Sequence, residues 1–267
     1  MKLQNRIIPY GNKTVVFDAN AYIAVGLNKI EIEKILLKEK GKNIKAYASL
    51  WILAELLSGE DINTLQNVNK HCADEFGRWR FSADPASQVY FILYGEESPY
   101  TEQRKKGIVD LFDKALNGNL SGQEKTHIKS QLENAGKSFV AGCQNHKGNV
   151  YKLNSDKIQK HAICQIIQKA KELRCDSVAI SDEEINSIAK EFPAAGIVYQ
   201  DILKRKLPQK KNKLNRESLL HDQRDWHLFF FAGRDDIYIV TQERKIRKLN
   251  LKNVICLEEY LQNVLQI

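Results

Sequence analysis

"TVVFDANAYIAV", residues 14–25, joins an apolar strand-like segment to an apolar helix-like segment through an aspartate, Asp18. β-Branched and aromatic residues fill positions 14–17 and predict a buried strand. A lone carboxylate is costly to bury unless a second group pairs with it or it coordinates an ion. Asp18 therefore predicts a partner at the end of this strand.

Strand patterns and helix patterns alternate at both ends of the chain. The further strand patterns cover residues 44–48, 236–241 and 253–256. The helical patterns cover 20–39 with a break near Asn28, 49–58, 216–232, 243–249 and 257–265. Such alternation predicts an α/β fold with a Rossmann-like parallel sheet and flanking helices.

The middle of the chain has a different pattern. Apolar residues recur at helical spacing in 101–118, 121–142 and 155–173, and Ser181 with Glu184 forms a capping box for a helix over 182–192. Residues 88–95, QVYFILYG, favour an extended segment. We expect residues 1–60 and 215–267 to form one discontinuous α/β domain, interrupted by a mainly helical insertion over 61–214.

Composition narrows the class of protein. The five cysteines form an odd set without a Cys-x-x-Cys pair, which favours a reducing cytoplasm over a disulfide framework. The N-terminus lacks the apolar core of a secretory signal, and no stretch predicts a membrane span. The net charge is +8 and the pI about 9.1, so an acidic partner is expected.

Acidic residues follow the predicted strands or face the buried helices. Asp18 ends the first strand, Glu55 lies on the helix after the second, and Glu243 follows the third. Asp222 and Asp225 lie three residues apart on one face of a predicted aromatic helix. Because the carboxyl ends of parallel strands meet at one edge of a sheet, these acids are expected to share a site there.

The first two acidic motifs resemble those of the PIN-domain nucleases. That family has a strand ending in Asp-x-Asn or Asp-x-Ser, and here Asp18 and Asn20 match it. Its second acid lies on a helix with a small residue, an apolar run and Glu-Leu, matched by Glu55 in SLWILAELL.

The last two acidic motifs continue the resemblance. The family's third acid is an Asp that opens a helix, matched by Asp225, and a strand closing in Thr-x-Asp follows it. Thr241 comes sixteen residues after Asp225, a typical spacing, and Glu243 stands where the family has its fourth Asp. The resemblance covers the two ends of the chain, and it implies a PIN-like fold.

The four acids predict a divalent cation, because clustered carboxylates repel one another and all-oxygen ligands prefer Mg²⁺ or Mn²⁺. The resemblance implies a metal-dependent endonuclease that hydrolyses phosphodiester bonds, with single-stranded RNA favoured and DNA left open. Asp18 and Asp225 would bind metal directly, with Glu55 and Glu243 completing the shell. Asp222 would share the third role or merely lie near the start of the helix. Two neutral residues would orient carboxylates or a phosphate oxygen: Asn20 and Thr241.

A basic run precedes the third acid. Residues 204–216 carry seven Lys or Arg and no acid, so they hold most of the net charge. They predict nucleic-acid contact over a solvated linker. The expected phosphate contacts are Lys204, Arg205, Lys206, Lys210, Lys211 and Lys213. In FGRWRF, residues 76–81, Arg78, Trp79 and Arg80 predict either a base-stacking platform or core packing.

Other interpretations stay open. Cys143, His146, His161 and Cys164 have paired spacing for a zinc site, although Cys164 also fits an apolar helix stripe. His221 with Asp222 does not extend to an HD-type phosphohydrolase pattern. A nucleic-acid-binding module that cuts nothing, and a toxin masked by an antitoxin or regulatory protein, remain alternatives. The insertion could carry a homodimer surface.

Overall fold

The computed structural model describes residues 13–59, 62–74, 76–82, 84–145, 155–175, 179–206 and 225–267. The described residues form these strands: β1 (Lys13–Phe17), β2 (Ile44–Ala46), β3 (Ala48–Ser49), β4 (Phe81–Ser82), β5 (Ile237–Val240) and β6 (Val254–Ile255).

Helices make up most of the remaining described chain. They are α1 (Ala19–Leu27), α2 (Ile32–Gly41), α3 (Leu50–Gly59), α4 (Ile62–Cys72), α5 (Pro85–Tyr94), α6 (Pro99–Leu116), α7 (Gly122–Asn145), α8 (Ser155–Glu172), α9 (Asp182–Glu191), α10 (Ala195–Lys206), α11 (225–229), α12 (Arg244–Arg247) and α13 (Leu257–Glu259). A π-helical turn over Tyr260–Leu265 extends α13.

A parallel four-stranded sheet joins the two ends of the chain, with the order β2-β1-β5-β6. In the register of β1 with β5, Thr14 lies opposite Ile237 and Phe17 opposite Val240. The expected α/β fold with a parallel sheet and flanking helices is confirmed at this level. The central position of β1 explains its apolar sequence, since a parallel strand is covered on both faces.

The two faces of the sheet bury alternate residues of β1. On one face, the Phe17 ring packs against Tyr22 of α1 at 5.2 Å and against Tyr260 at 5.5 Å between ring centroids. On the other face, Thr14 and Val16 line a small cavity together with residues of α3, α5 and 227–231. β1 is therefore buried on both sides, as its continuous apolar run predicts.

A polar network is buried beneath the first of these faces. Glu39 of α2 is 2% exposed, and both of its carboxylate oxygens lie within 3.0 Å of His71 Nε2. The Tyr260 hydroxyl donates to Glu39 Oε1 at 2.7 Å, and His71 Nδ1 lies 3.0 Å from the Tyr22 hydroxyl. We call these four side chains the core network; they connect α1, α2, α4 and the π-helical turn.

The predicted break near Asn28 is confirmed. Helix α1 ends at Leu27, with Asn28 as its C-cap, and α2 begins at Ile32. Lys29 takes a left-handed conformation between the two helices, with φ 51°. A short link over residues 28–31 therefore separates the two helices.

The middle of the chain is helical, as expected. Ser181 and Glu184 form the predicted capping box at the start of α9. Helix α4 packs on α1 and α2, and α6 and α7 pack on α3. The sequence insertion is thus in contact with the helices that cover the sheet, and the division into two domains stays a prediction.

The extended segment expected at 88–95 is wrong, because these residues belong to helix α5. The Asp84 side chain caps its first turn, Pro85 begins it, and Gly95 ends it with φ 70°. Val89 and Tyr90 are buried, and the helix packs against α8. A helix buried on several sides has a continuous apolar sequence that resembles a buried strand.

Other boundaries differ slightly from the expected ones. Within the described residues, the predicted helix 216–232 ends at 229 instead of 232, and Gly233 follows with φ 85°. Residues 207–224 lie outside the described part of the chain. Among the described residues, no helix combines the length and apolarity that crossing a membrane requires.

Candidate active site

Asp18 lies directly after β1 and caps helix α1. Its Oδ1 accepts a hydrogen bond of 2.6 Å from the Ala21 N–H, and its own N–H donates to the Val240 carbonyl of β5 at 3.0 Å. The residue is only 7% exposed. The strand end and the helix start therefore fix this carboxylate at the edge of the sheet, as the sequence predicts.

Thr241 follows β5 and connects two of the predicted acids. Its fully buried hydroxyl donates to Asp18 Oδ2 and accepts from the Glu243 N–H at 3.0 Å. Because a hydroxyl can donate one hydrogen bond and accept two, this arrangement uses both capacities. Thr241 thereby orients Asp18 and the backbone that carries Glu243.

Asn20 lies on the first turn of α1 and faces Glu243. Its Nδ2 donates to Glu243 Oε1 at 3.1 Å. The Glu243 side chain is 31% exposed, and its other oxygen, Oε2, lies 3.7 Å from Lys245 Nζ. The two supporting residues predicted from sequence, Asn20 and Thr241, therefore contact carboxylates at this edge.

Lys245 contacts both Asp225 and Glu243, so Asp225 lies at the same edge of the sheet. Its Nζ lies 3.0 Å from Asp225 Oδ2 and 3.7 Å from Glu243 Oε2. We call Asp18, Asp225 and Glu243 the acidic cluster. The sequence analysis missed Lys245; the available signal was its position two residues beyond Glu243 on a short helix.

The environment of Asp18 is electrostatically unfavourable for its charge. The pKa of Asp18 is raised from 3.8 to about 7, and burial is the largest cause. Hydrogen bonds from Thr241 and Ala21 oppose the rise, and the nearby charges of Asp225 and Glu243 contribute to it. Without a cation beside it, Asp18 is therefore close to half protonated at neutral pH.

The structure describes one of the two remaining predicted acids, Glu55, and not the other, Asp222. Glu55 lies on α3, its side chain is half-buried, and its carbonyl accepts from the Ser58 hydroxyl at 2.6 Å. Its participation in the acidic cluster stays a prediction. Asp222 lies outside the described residues, as does the His221–Asp222 pair.

The basic run begins at the end of α10. Lys204 is exposed there, and the Arg205 guanidinium pairs with Asp201 at 2.6 Å, so part of its charge is neutralised within the helix. Four further predicted contacts have side chains outside the described residues: Lys206, Lys210, Lys211 and Lys213. The contact of this run with nucleic acid stays a prediction.

The FGRWRF segment is engaged in packing. The Trp79 ring stacks at 5.8 Å from Phe81 and contacts Phe112 edge-on at 4.9 Å. Arg80 donates to two backbone carbonyls, those of Ala46 and His71. These contacts favour the core-packing interpretation over the base-stacking platform.

Half of the predicted zinc set lies on α8. His161 Nε2 is 3.1 Å from Gln165 Nε2, and burial raises the pKa of the half-buried Cys164 thiol. The side chains of Cys143 and His146 lie outside the described residues. The zinc site therefore stays a prediction.

The donor chemistry of the acidic cluster fits Mg²⁺ or Mn²⁺, since its ligating atoms are all hard oxygens. In the part of the chain that the structure describes, no three His, Cys, Asp or Glu side chains are arranged to hold a metal ion. The Lys245 ammonium instead lies between Asp225 and Glu243, where it supplies a positive charge. A metal ion would have to take over that role.

Comparison with known proteins adds no relative: no family model, curated protein or solved structure matches the chain.

Proposed function

We propose that this chain is a PIN-like endonuclease that depends on a divalent metal and hydrolyses phosphodiester bonds, with single-stranded RNA as its preferred substrate. The observation that supports it is the buried Asp18 carboxylate at the carboxyl end of β1, flanked by Asp225 and Glu243. In open α/β sheets, ligands bind at this edge. Three acids gathered there repel one another, and a divalent cation would neutralise them more completely than the single Lys245 ammonium does.

The residues that would hold Mg²⁺ or Mn²⁺ are Asp18, Asp225 and Glu243, with Glu55 completing the shell. When bound, the ion would lower the pKa of an attacking water and neutralise charge on the phosphate. Thr241 and Asn20 keep the Asp18 and Glu243 carboxylates in fixed orientations through the hydrogen bonds described above. Holding ligands in place before the ion arrives reduces the cost of binding it.

Lys245 has a separate role in this proposal. Its ammonium neutralises Asp225 and Glu243 when no metal is present, and it leaves the cluster when the ion binds. At a distance of one long side chain from the acids, it is then available to a phosphate of the substrate.

The substrate assignment depends on the family resemblance. Hydrolysis at phosphorus by an activated water requires no 2′-hydroxyl, so the acidic cluster is compatible with RNA and DNA alike. RNA is preferred because many PIN-like nucleases are ribonuclease toxins or RNA-processing enzymes. We place the protein in the cytoplasm, with an antitoxin or regulatory protein as a possible partner and homodimerisation through the helical insertion as a possible state.

A second candidate function is nucleic-acid binding without cleavage. The observation that favours it is the Lys245 ammonium between Asp225 and Glu243, because an internal ion pair can neutralise these acids permanently. The two functions differ in one respect that can be measured: only the nuclease needs the metal.

The experiment is cleavage of end-labelled single-stranded RNA, single-stranded DNA and duplex DNA, with Mn²⁺ or with EDTA. The variant is Asp18→Asn, whose amide can still accept from the Ala21 N–H and donate to the Thr241 hydroxyl, so the fold is preserved. The matched control is Asp182→Asn, which changes an exposed acid on α9.

We expect Mn²⁺-dependent cutting by the wild-type protein and by Asp182→Asn, and only background cutting by Asp18→Asn. If the protein binds RNA but cuts no substrate under any condition, the second candidate function, nucleic-acid binding without cleavage, replaces the nuclease proposal. Cutting of DNA in preference to RNA would keep the mechanism and change the substrate.

A further inference from the structure

An open groove runs along the edge strand β6, between α12 and the π-helical turn. Its volume is about 800 Å³. The lining residues are Tyr238, Arg244, Arg247, Lys248, Asn250, Leu251, Asn253, Val254, Ile255, Glu259, Asn263 and Val264. One lining residue, Arg244, directly follows Glu243 of the acidic cluster in the chain. The three acids of the cluster do not line the groove.

Helix α12 presents three different faces. Arg244, Arg247 and Lys248 are spaced at i, i+3 and i+4, so they share one face, and this face lines the groove. Ile246 is fully buried and anchors the helix to the core. Lys245 points to the acidic cluster. One short helix therefore connects the cluster with a row of cations.

Within the described residues, no acid forms an ion pair with Arg244, Arg247 or Lys248. Arg247 Nε is in addition buried and has no acceptor in the described part of the chain. By contrast, neighbouring Lys252 pairs with Asp235. These cations are therefore available to an anionic ligand.

One acid, Glu259, is present among the groove residues that the structure describes, and it is already engaged. Its Oε2 accepts from the Cys256 N–H at 2.9 Å as part of a capping box at the start of α13. The described lining therefore keeps an excess of positive charge, because three cations face this single carboxylate.

The other lining residues suit an extended nucleic acid better than a small anion. Asn250 and Asn263 present exposed amides, which pair with base edges. The partly exposed Tyr238 ring has the Lys13 ammonium 5.6 Å from its centroid, which adds a positive charge beside the groove. A row of cations, rather than one convergent pocket, matches the repeating phosphates of a single strand.

We propose that this groove binds the phosphodiester backbone of a single-stranded nucleic acid and leads it to the acidic cluster. That the strand continues to a cleavage site rests on the nuclease function proposed above. Binding in the groove itself needs no metal, so the two proposals can be tested separately. RNA and DNA share the backbone that the cations recognise.

The test measures binding of fluorescein-labelled oligo(U) RNA and oligo(dT) DNA of about 20 nucleotides, longer than the ~4–16 nucleotides of a typical single-strand site. Anisotropy is recorded in EDTA, so no cleavage occurs, over roughly 50–200 mM salt. The variant is Arg244→Glu/Lys248→Glu, which reverses two exposed charges in the groove. The matched control is Lys129→Glu/Lys190→Glu, which reverses two exposed charges on α7 and α9 that do not line it.

We expect the groove variant to bind roughly tenfold more weakly than the control variant, and its salt dependence to flatten by about 1.4 in the slope of log K against log salt, the loss of two phosphate contacts. Equal effects on RNA and DNA would identify backbone recognition. A larger loss of affinity for RNA than for DNA would show that the groove also contacts the 2′-hydroxyl.

Two outcomes would overturn the groove proposal. In the first, the groove variant binds with the affinity and salt slope of the control. In the second, a polyglutamate peptide of matched charge binds more tightly than the oligonucleotides and loses binding in the groove variant, which assigns the surface to an acidic protein. Neither outcome affects metal-dependent cleavage by the wild-type protein, whose absence would overturn only the nuclease proposal.

Discussion

Among the residues that the structure describes, two carboxylates are buried, and their surroundings are opposite. Glu39 in the core network is contacted through both oxygens by His71 and also receives the Tyr260 hydroxyl. Asp18 in the acidic cluster receives hydrogen bonds from uncharged donors, and the charges that act on it come from Asp225 and Glu243. One carboxylate is balanced inside the protein, whereas the other has neighbours of its own sign.

The difference separates a polar site whose charge is balanced inside the protein from a candidate functional site. A buried carboxylate that has a cationic or strongly donating partner needs nothing from outside the protein. A buried carboxylate among like charges must bind a proton or a cation. Burial of an acid alone therefore does not identify a binding site; an uncompensated charge does.

The largest expected effect is on the core network. Glu39→Ala leaves His71 and the Tyr260 hydroxyl buried without their partner, so the free energy of unfolding should fall by about 3–5 kcal/mol. Urea denaturation measures the loss. The matched control is Glu33→Ala on the same helix, which removes an exposed ion pair with Lys70 and should cost less than about 1 kcal/mol.

Equal losses in Glu39→Ala and Glu33→Ala would show that the core network contributes no more than a surface pair. Glu39 would then not be a stabilising residue, and the contrast between Glu39 and Asp18 would not hold.

A smaller effect is expected from metal binding at the acidic cluster. Mn²⁺ should stabilise the wild-type protein by about 2.7 kcal/mol when its concentration is roughly a hundred times the Kd. Thermal unfolding with and without Mn²⁺ measures this as a rise in Tm. Asp18→Asn should reduce the rise, while Asp182→Asn should keep it. A wild-type Tm that does not respond to Mn²⁺ would contradict an assembled metal site.

Replacing Lys245 tests whether its ammonium competes with Mn²⁺ for the acidic cluster, with the same thermal unfolding measurement. Lys245→Met removes the ammonium that competes for Asp225 and Glu243, so the Mn²⁺ concentration at half-maximal stabilisation should fall by up to about fivefold, the equivalent of one partly exposed ion pair. An unchanged Mn²⁺ titration would show that Lys245 does not occupy the site of the ion.

The pH dependence of stability should reveal the burial of Asp18. The pKa of Asp18 is 3.8 in its ordinary state and about 7 in the folded protein, so folding favours the protonated form. Its contribution is complete below about pH 4 and is lost as the pH rises through 7. Between pH 5 and pH 7, wild-type stability in EDTA should fall by about 2 kcal/mol relative to Asp18→Asn.

Urea denaturation at several pH values, with both proteins in parallel, measures this difference. If the two proteins lose stability in parallel with rising pH, Asp18 is already ionised in the folded state and has a cationic partner.

Much of the sheet could be predicted because its strands are short apolar runs that end in polar residues. The parallel arrangement then brings their ends together, which is why Asp18, Thr241 and Glu243 were found from sequence alone. These predictions depend on local patterns and on one topological rule. They do not require knowing which side chain contacts which.

Long-range pairing and the burial of charged residues were not predictable in this way. Glu39 lies in the charged run KEKGK, which resembles a solvated helix end, yet the residue is almost completely buried. Its burial depends on His71 and Tyr260, which no local pattern connects to it. Similarly, α5 was mistaken for an extended segment because its apolar residues are buried on several sides.

The strand order of the sheet has a consequence for how the protein is made. Asp18 and Thr241 are 223 residues apart in the chain, although they share a hydrogen bond. At about 5–20 residues per second, a ribosome needs on the order of 10–45 s to reach Thr241 after adding Asp18. A nascent chain therefore cannot assemble the acidic cluster until Thr241 and Glu243 have been synthesised. If the cluster cuts RNA, the unfinished protein is harmless to the message from which it is being translated.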